Sequence, residues 1–470
     1  MRSSLSKLLH PVAGLPMVRR AVDLGHALSP TAVAVVVGHA GEDVARAVES
    51  RAEIVQQAER LGTGHAVQQA HDALRGRSDV VAVLYGDTAL LTEGTVRRMV
   101  DLAARAPVVI LTIRIEPDTD PSIVEGTSTY GRIKRVDGKV VGIMELAGTD
   151  PAYESSRELN SGVMVFRADW LWENIGALPR NPNGEYFLTD LPAIAISQGL
   201  AVEATGPDSP DEVLGVNTQE QLAQVNRIAQ ERIRARLLAS GVRMLDPTTV
   251  YVDSTVAVEP DAVIEPNTHL RGATRIGACT VVGPNSIVED TTVGERCRVV
   301  QSVLEGATVG DDVTIGPFAH LRPGARIEDR VELGNYAEVK GSTLGAGTRM
   351  HHFSYVGDAE IGPDTNVGAG TITCNYDGHA KHRTNVGAGV FLGSDTLLVA
   401  PVTLGDGART GAGSVVTKDV APGQLVVGVP ARPMRPTSRS TGRPSGPHPE
   451  AGESDASDPA AGAPRGARLD

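Results

Sequence analysis

Between about Val250 and Val416, aliphatic residues return every six positions. Val252, Val258, Ile264, Leu270, Ile276, Val282 and Val288 keep that step without error. After a shorter step the series resumes at Val293, Val299, Val309, Ile315, Leu321, Ile327, Leu333 and Val339. It returns at Met350, Val356 and Val367 and, after an interruption, at Val386, Leu392, Leu398 and Leu404. A helix repeats near ~3.6 and a strand at ~2, so neither alone gives this period. A coil of three short flat sides does, with one inward aliphatic per side. The pattern predicts a left-handed parallel β-helix of hexapeptide repeats over residues 242–435, burying a continuous aliphatic column. Gly often follows the aliphatic, as in Ile276-Gly277, Val293-Gly294 and Val309-Gly310. Corners need small or φ-permissive residues, which accounts for it.

Residues 1–217 carry a different pattern, alternating strand and helix. Apolar runs at Thr31–Val37, Ala52–Gln57, Val80–Leu84 and Val108–Ile115 read as strands. Glu42–Ser50, Gly64–Leu74 and the segment from Thr92 to Ala104 read as helices, with Thr92 as an N-cap. Gly131–Glu145 reads as a hairpin turning at Asp137-Gly138, and Asn160–Phe166 as a further strand. The alternation predicts a Rossmann-like α/β domain with a mostly parallel sheet. Residues 218–241 form a connecting helix with Leu222, Val225, Ile228, Ile233 and Leu237 on one face, ended by Ser240-Gly241. Each half is expected to carry its own core. Residues 436–470 have almost no large apolar residue and read as a disordered tail.

Composition narrows the function classes. The net charge of −13 argues against nucleic acid as a general partner. Aromatics are only 3%, which suits a narrow solenoid and leaves little for base-stacking platforms. Cys279, Cys297 and Cys374 are odd in number and lack metal-ligand spacing, which points to a reducing cytoplasm. No run approaches the ~18 apolar residues of a membrane span, and no apolar stretch after Met1–Lys7 suggests a signal peptide.

Chemistry in the first half is expected at the carboxyl ends of strands. Tyr85-Gly86-Asp87 sits at such an end. Asp87 can hold a divalent cation beside nucleotide phosphates, or simply cap the next helix. Leu61-Gly62-Thr63-Gly64-His65 is a Gly-rich turn opening a helix, able to cradle phosphate or to be an ordinary turn. Together with Gln57-Ala58-Glu59, Tyr130-Gly131-Arg132-Ile133, Glu145, Asn160-Ser161-Gly162 and Gly215-Val216-Asn217, these segments follow a specific order. That order, and the solenoid after it, resembles the bacterial bifunctional N-acetylglucosamine-1-phosphate uridyltransferase/glucosamine-1-phosphate N-acetyltransferase family. The resemblance covers nearly all of the chain except its tail. It implies that Asp87 and Asn217 hold Mg²⁺. It gives the uridine nucleotide to Gln57, Gly62, Thr63, Tyr85 and Gly86, and the sugar to Gly131, Glu145 and Asn160.

The family opens with an apolar strand and a loop of the form L-A-A-G-x-G-T-x-M, followed by a Lys. Met1 matches the last residue of that loop and Lys7 the Lys. Without the strand, neighbouring strand edges would be exposed. Without the loop, backbone donors for a triphosphate would be missing. Either translation begins upstream of Met1 or uridyl transfer by the chain as written is impaired, and the join at a Met points to the first.

In the second half, His351-His352 with Tyr355 stands out, because a solenoid core needs no His. Acetyl transfer from a thioester to an amine needs a base, and imidazole titrates in the right range. Arg322 and Lys340 are one coil apart, so they stack at one corner and suit a phosphate. Residues Thr371–Thr384 leave the hexad register and are expected to form an extruded loop. The segment from Arg322-Pro323 to Gly393-Ser394-Asp395 resembles the acetyltransferase half of the same family. By that resemblance His352 is the general base, and Arg322, Lys340, Tyr355 and Asn366 bind glucosamine 1-phosphate. Ala369, Asn375, Tyr376, Ser394 and Ala412 bind acetyl-CoA. The family's coenzyme-contacting Arg near the solenoid's end falls at Gly428, with Arg432 close by. A homotrimer with shared acetyl-transfer sites is also implied. The expected function is two steps: acetylation of glucosamine 1-phosphate, then UMP transfer from UTP with release of pyrophosphate. A monofunctional acetyltransferase and a non-enzymatic scaffold are the alternatives.

Overall fold

The computed structural model describes residues 1–38, 41–48, 50–144 and 156–434. Glu145 and the expected disordered tail lie outside the described residues. From Arg243 onward the chain winds as a three-sided β-helix whose faces hold 12, 10 and 9 strands among the described residues, all parallel except the last, Arg432–Pro433, which turns back antiparallel. Each inward aliphatic pairs with its counterpart one coil on: Val252 with Leu270, Leu270 with Val288, Val288 with Leu304. Leu304 is followed by Leu321, Val339 and Val356 on the same face. Nearly all of these side chains are fully buried. Burial of one such side chain is worth ~1.5–3 kcal/mol, so the column is the main store of stability in this half.

The corners use small and φ-permissive residues, as expected. Positive φ in the solenoid falls most often on Gly, as at Gly272 (61°) and Gly389 (62°), and next on Asn and Asp, as at Asn267 (57°) and Asn285 (54°). Asn267 Nδ2 donates to Asn285 Oδ1 at 3.1 Å, a short side-chain ladder between coils. Gly277 has no positive φ. A Cβ there would lie 2.6 Å from the carbonyl carbon of Gly294 on the next coil, so it is Gly because the coils approach closely.

The extruded loop is shorter than expected. Ile372–Cys374 stays in the helix, pairing with Ser354–Gly357 below and Leu397–Val399 above, and the excursion begins at Asn375. The inward place on that side is held by Thr373. Its hydroxyl accepts from Gly357 N at 2.7 Å and donates to Gly357 O at 3.0 Å. A polar residue with both bonds satisfied substitutes for an aliphatic, so the hexad pattern loses the coil although the coil is present.

The N-terminal half contains β1 (Ala34–Gly38), β2 (Glu53–Gln57), β3 (Val80–Val83) and β4 (Val108–Arg114). It continues with β5 (Arg132–Val136), β6 (Lys139–Met144), β7 (Glu158–Arg167) and β8 (Val202–Thr205). One sheet has the order β8-β4-β7-β5-β6, with β3 also on β7. β3, β4 and β8 share one direction, as an α/β alternation implies. The long β7 runs against β3, β4 and β5. An apolar run does not encode pairing direction, so this insertion was not readable from the pattern. The β5–β6 hairpin turns at Asp137 (φ 51°) and Gly138 (φ 76°), the two positive values a tight primed turn needs. The helix N-cap at Thr92 is present, its side chain accepting from Thr95 N.

β1 pairs only with β2, in a sheet of its own. Among the described residues neither β1 nor β3 pairs on its other side. The two free edges line one apolar cavity of 480 Å³, closed by Val18 and Val22 of α1 (Met17–Ala27) and Val67 of α2 (Thr63–Gln69).

The N-terminal half has cores of its own, around Met164 and Phe166 on one face of the sheet and Leu111 and Val165 on the other, and a separate seam joins it to the solenoid. Val12, Ala13, Met17, Ala89, Leu90 and Val216 belong to the same apolar cluster as the connecting helix α3 (Gln219–Ala239) and the solenoid column. A capping box of Thr218 and Gln221 starts α3. Buried Gln230 fixes it to the first coil, donating to Val252 O at 2.8 Å and accepting from Val252 N at 2.9 Å. The continuity arises because α3 is apolar on more than one side.

Main-chain amides on the free edges of β1 and β3 lack a strand partner, whereas β4 and β7 are paired on both sides. Hydrogen–deuterium exchange followed by mass spectrometry should show peptides of β1 and β3 exchanging at least ~100-fold faster than those of β4 and β7.

Candidate active sites

The solenoid places a group of cations on one face. Leu321 pairs with Val339, and Arg322 N donates to Val339 O at 2.8 Å, so Arg322 and Lys340 occupy matching places on successive coils. Lys340 pairs in turn with Gly357, beside Tyr355. The Tyr355 ring crosses Gly357, where a Cβ would lie 2.2 Å from the phenol oxygen, so any side chain there would displace the ring. Arg322 is held by Glu338, 2.9 Å away. A third cation joins them from the extruded loop. Lys381 hydrogen-bonds Lys340, and this bond holds Lys340 below the usual lysine range, with the charge of Lys381 acting in the same direction. Lys381 is held above that range, first by the same bond and then by the Asp358 carboxylate. Such a cluster favours a dianionic ligand.

His352 lies at the corner just before the Tyr355 strand and is exposed. His351 is engaged, its Nε2 lying 2.6 Å from Glu332. The His352 imidazole makes no hydrogen bond among the described residues, so both of its nitrogens are open to a ligand. Asn366 sits on the next side of the coil, paired with Arg349 and Phe391.

The residues expected to bind the coenzyme form a column of small residues. Asp395 N donates to Ala369 O at 2.6 Å, and Gly413 N to Ser394 O at 2.8 Å, so Ala369, Ser394 and Ala412 stand at one corner of three successive coils. Gly393 allows this, since a Cβ there would meet Ala412 N at 2.7 Å. Asn375 is buried and its amide donates to Asp358. Tyr376 projects outward, with its hydroxyl on Gly378 O at 2.7 Å. Gly428 and Arg432 lie at the far end of the helix, next to and within its last strand.

In the N-terminal half, three of the expected residues meet. Lys7 Nζ lies 2.6 Å from Asp87 Oδ2 and 2.9 Å from Asn217 Oδ1. A carboxylate and an amide carbonyl already converge on one cation, and hard oxygens of this kind suit Mg²⁺, which usually takes one or two carboxylates with waters and substrate phosphates. Among the described residues no group of three or more His, Cys, Asp or Glu forms a fuller cage. Gln57 Nε2 donates to Gly62 O at 3.1 Å. Gly62 (φ 97°) passes so close to Tyr186 that a Cβ would lie 2.6 Å from its carbonyl oxygen, and Thr63 Oγ1 accepts from Leu188 N at 3.0 Å. Gly86 packs on Leu8. Asn160 N donates to Gly131 O, and its side chain accepts from Gly162 N, over which the Tyr85 ring lies. These contacts join the Tyr85-Gly86-Asp87 turn to the Gly131 and Asn160 segment. The neighbouring Tyr130 hydroxyl is pushed up to about 12 by burial.

Comparison with known proteins now applies. The family profile for a MobA-like NTP transferase domain matches residues 1–151, and that for the bacterial transferase hexapeptide (six repeats) matches residues 306–341. The Bifunctional protein GlmU of Pelobacter propionicus is 42% identical over 437 residues, covering 91% of this chain and 92% of that protein. Those of Acinetobacter baumannii and Burkholderia orbicola are 39% and 41% identical, each over at least 90% of both chains. The chain belongs to the GlmU family. Within this GlmU chain, sequence reading missed Lys381. It lies in the excursion, where no register ties it to Arg322 and Lys340, and the only available signal was a Lys among the loop's polar residues. Asp358 was missed too, being an ordinary corner residue in the pattern.

If Lys381 supplies phosphate-binding charge without touching the reacting amine, Lys381→Ala should raise the KM for glucosamine 1-phosphate about ten-fold and change kcat less than three-fold. Steady-state kinetics of acetyl transfer will separate the two.

Proposed function

We propose that the two transferase activities of the chain are divided between the two halves as their geometry suggests. As a GlmU-family enzyme the chain catalyses both steps of UDP-N-acetylglucosamine formation: acetyl transfer to glucosamine 1-phosphate and uridyl transfer to the product. The observation that carries the assignment is the gathering of Arg322, Lys340 and Lys381 at the far end of the strand that follows His352, whose imidazole makes no hydrogen bond among the described residues.

In the acetyl-transfer step the three cations hold the phosphate, and Tyr355 and Asn366 orient the sugar. His352 takes a proton from the substrate ammonium. The freed amine attacks the thioester carbonyl, a C–N bond forms, and the C–S bond breaks. As the C–S bond breaks, the nitrogen gives up its second proton to the departing coenzyme thiolate and the proton on His352 passes to water, so one proton is released per acetyl group transferred. Ala369, Ser394 and Ala412 offer a small-residue track for acetyl-CoA, with Asn375 and Tyr376 at its edge. In the uridyl-transfer step a phosphate oxygen of N-acetylglucosamine 1-phosphate attacks the α-phosphorus of UTP and pyrophosphate leaves. Asp87 and Asn217 would hold Mg²⁺, which neutralises phosphate charge. Lys7 supplies a further positive charge. Gln57, Gly62, Thr63, Tyr85 and Gly86 line the nucleotide side, with Gly131 and Asn160 on the sugar side. Glu145 is assigned there by resemblance alone.

Phe318, Tyr336, Phe353, Tyr376 and Phe391 are all exposed on the solenoid around His352. Large apolar side chains in such number suit a contact with further copies of the chain, which supports a homotrimer whose neighbours wall the open site. No helix among the described residues is long and apolar enough to cross a membrane. That fact and the unpaired cysteines support a cytoplasmic enzyme.

His352→Ala should lower acetyl transfer by ~10²–10⁴-fold while leaving the sedimentation profile and uridyl transfer unchanged. Near wild-type acetylation by this variant would remove His352 from the mechanism.

A further inference from the structure

Where the two halves and the connecting helix meet, the structure has a half-open cavity of 310 Å³. It is lined by Arg20 of α1, Leu90 of the loop before the Thr92-capped helix, Arg232, Ile233 and Arg236 of α3, and Ser254 of the first coil. None of these residues belongs to either active site.

Three guanidinium groups facing one cavity repel each other unless something negative sits among them. The two nearby carboxylates offset this only in part: Asp211 pairs with one of the three, Arg232, at 2.9 Å, and Asp23 is shared by arginines outside the cavity, Arg19 at 3.0 Å and Arg51 at 2.7 Å. Arg20 spends Nε on Ala89 O at 3.1 Å and Nη1 on Val12 O at 3.3 Å. Arg232 spends Nη1 on Leu90 O at 2.7 Å. The Arg236 guanidinium makes no hydrogen bond or salt bridge among the described residues. An arginine has five N–H donors, so all three retain donors that the protein does not use. Burial first, and then the charge of Arg232, hold Arg20 below the usual arginine range; the Asp23 carboxylate opposes this and Arg236 adds to it.

We propose that this junction cavity is an anion-binding site for a phosphorylated small molecule. Guanidinium forks match phosphate oxygens in pairs. The volume exceeds what a bare phosphate needs and lies at the lower end of small-molecule pockets, ~300–1,000 Å³. Leu90 and Ile233 provide apolar wall for the group that carries the phosphate. A ligand here touches α1, α3 and the first coil together, so its occupancy stiffens the joint between the uridyl-transfer and acetyl-transfer halves.

The test uses the full chain in a background, Lys7→Ala/Arg322→Ala/Lys340→Ala, that weakens phosphate binding at both active sites and leaves the junction intact. Isothermal titration with inorganic phosphate, pyrophosphate and UDP-N-acetylglucosamine, at ionic strength fixed with NaCl, reads the site. Saturable binding of at least one of them is expected to persist in the background. Adding Arg236→Ala, an exposed position where the fold is not at risk, should weaken it about ten-fold or more, with Arg236→Lys between. The order of affinity among the three probes identifies the preferred phosphate carrier. Absence of binding in the background overturns the proposal. So does binding that Arg236→Ala leaves unchanged, or heat that chloride alone reproduces.

Discussion

The hydrogen-bond ladder that runs from coil to coil of the solenoid is the constraint on which the acetyl-transfer site depends. Each strand is only two to four residues long and has no stability of its own. What fixes it is the strand one coil below and one coil above, together with one aliphatic per side packed into a common column. Because every coil is bound in register to the next, residues about one coil apart in sequence become neighbours in space. Arg322 and Lys340 meet for that reason and no other.

The same constraint explains where the chain is free to vary. An insertion inside a side would break two ladders, but an insertion at a corner costs only loop closure. The excursion after Cys374 sits at such a corner, and the strands on either side of it keep their pairing. It returns Lys381 to the cation group and Asn375 to Asp358. The rigid coils supply position, and the loop supplies the last charge. The joint at the other end is also firm, since Gln230 and Arg234 of α3 bond the main chain at Val252 and Val250. Apolar packing runs unbroken from Val12 into the column.

Much of this was legible in the sequence, for physical reasons that also mark the limits. The hexad was legible because one buried aliphatic per side leaves a period that nothing else produces. Thr373 broke the reading because a hydroxyl with both bonds satisfied packs inward as well as Val does. Gly277 was read as a corner needing a small or φ-permissive residue, and the structure shows that small size is what counts there, since a side chain would meet Gly294. In the first half the strands were legible, but the reversed direction of β7 was not, because burial on both faces looks the same in either direction. The meeting of Lys7, Asp87 and Asn217 was foreseen only through family resemblance, since no periodicity links positions so far apart. Lys381 and the three arginines of the junction were invisible for the same reason.

The central claim is that coil stacking turns Arg322 and Lys340 into one phosphate-binding unit. The most direct measurement is a double-mutant cycle on glucosamine 1-phosphate binding, by calorimetry on the wild type, Arg322→Ala, Lys340→Ala and the pair. Residues that share one ligand group couple by ~0.5–3 kcal/mol. The account predicts that each single variant loses affinity and that the pair departs from the sum by an amount in that range. Strictly additive losses, or a single variant that binds as the wild type does, would contradict it.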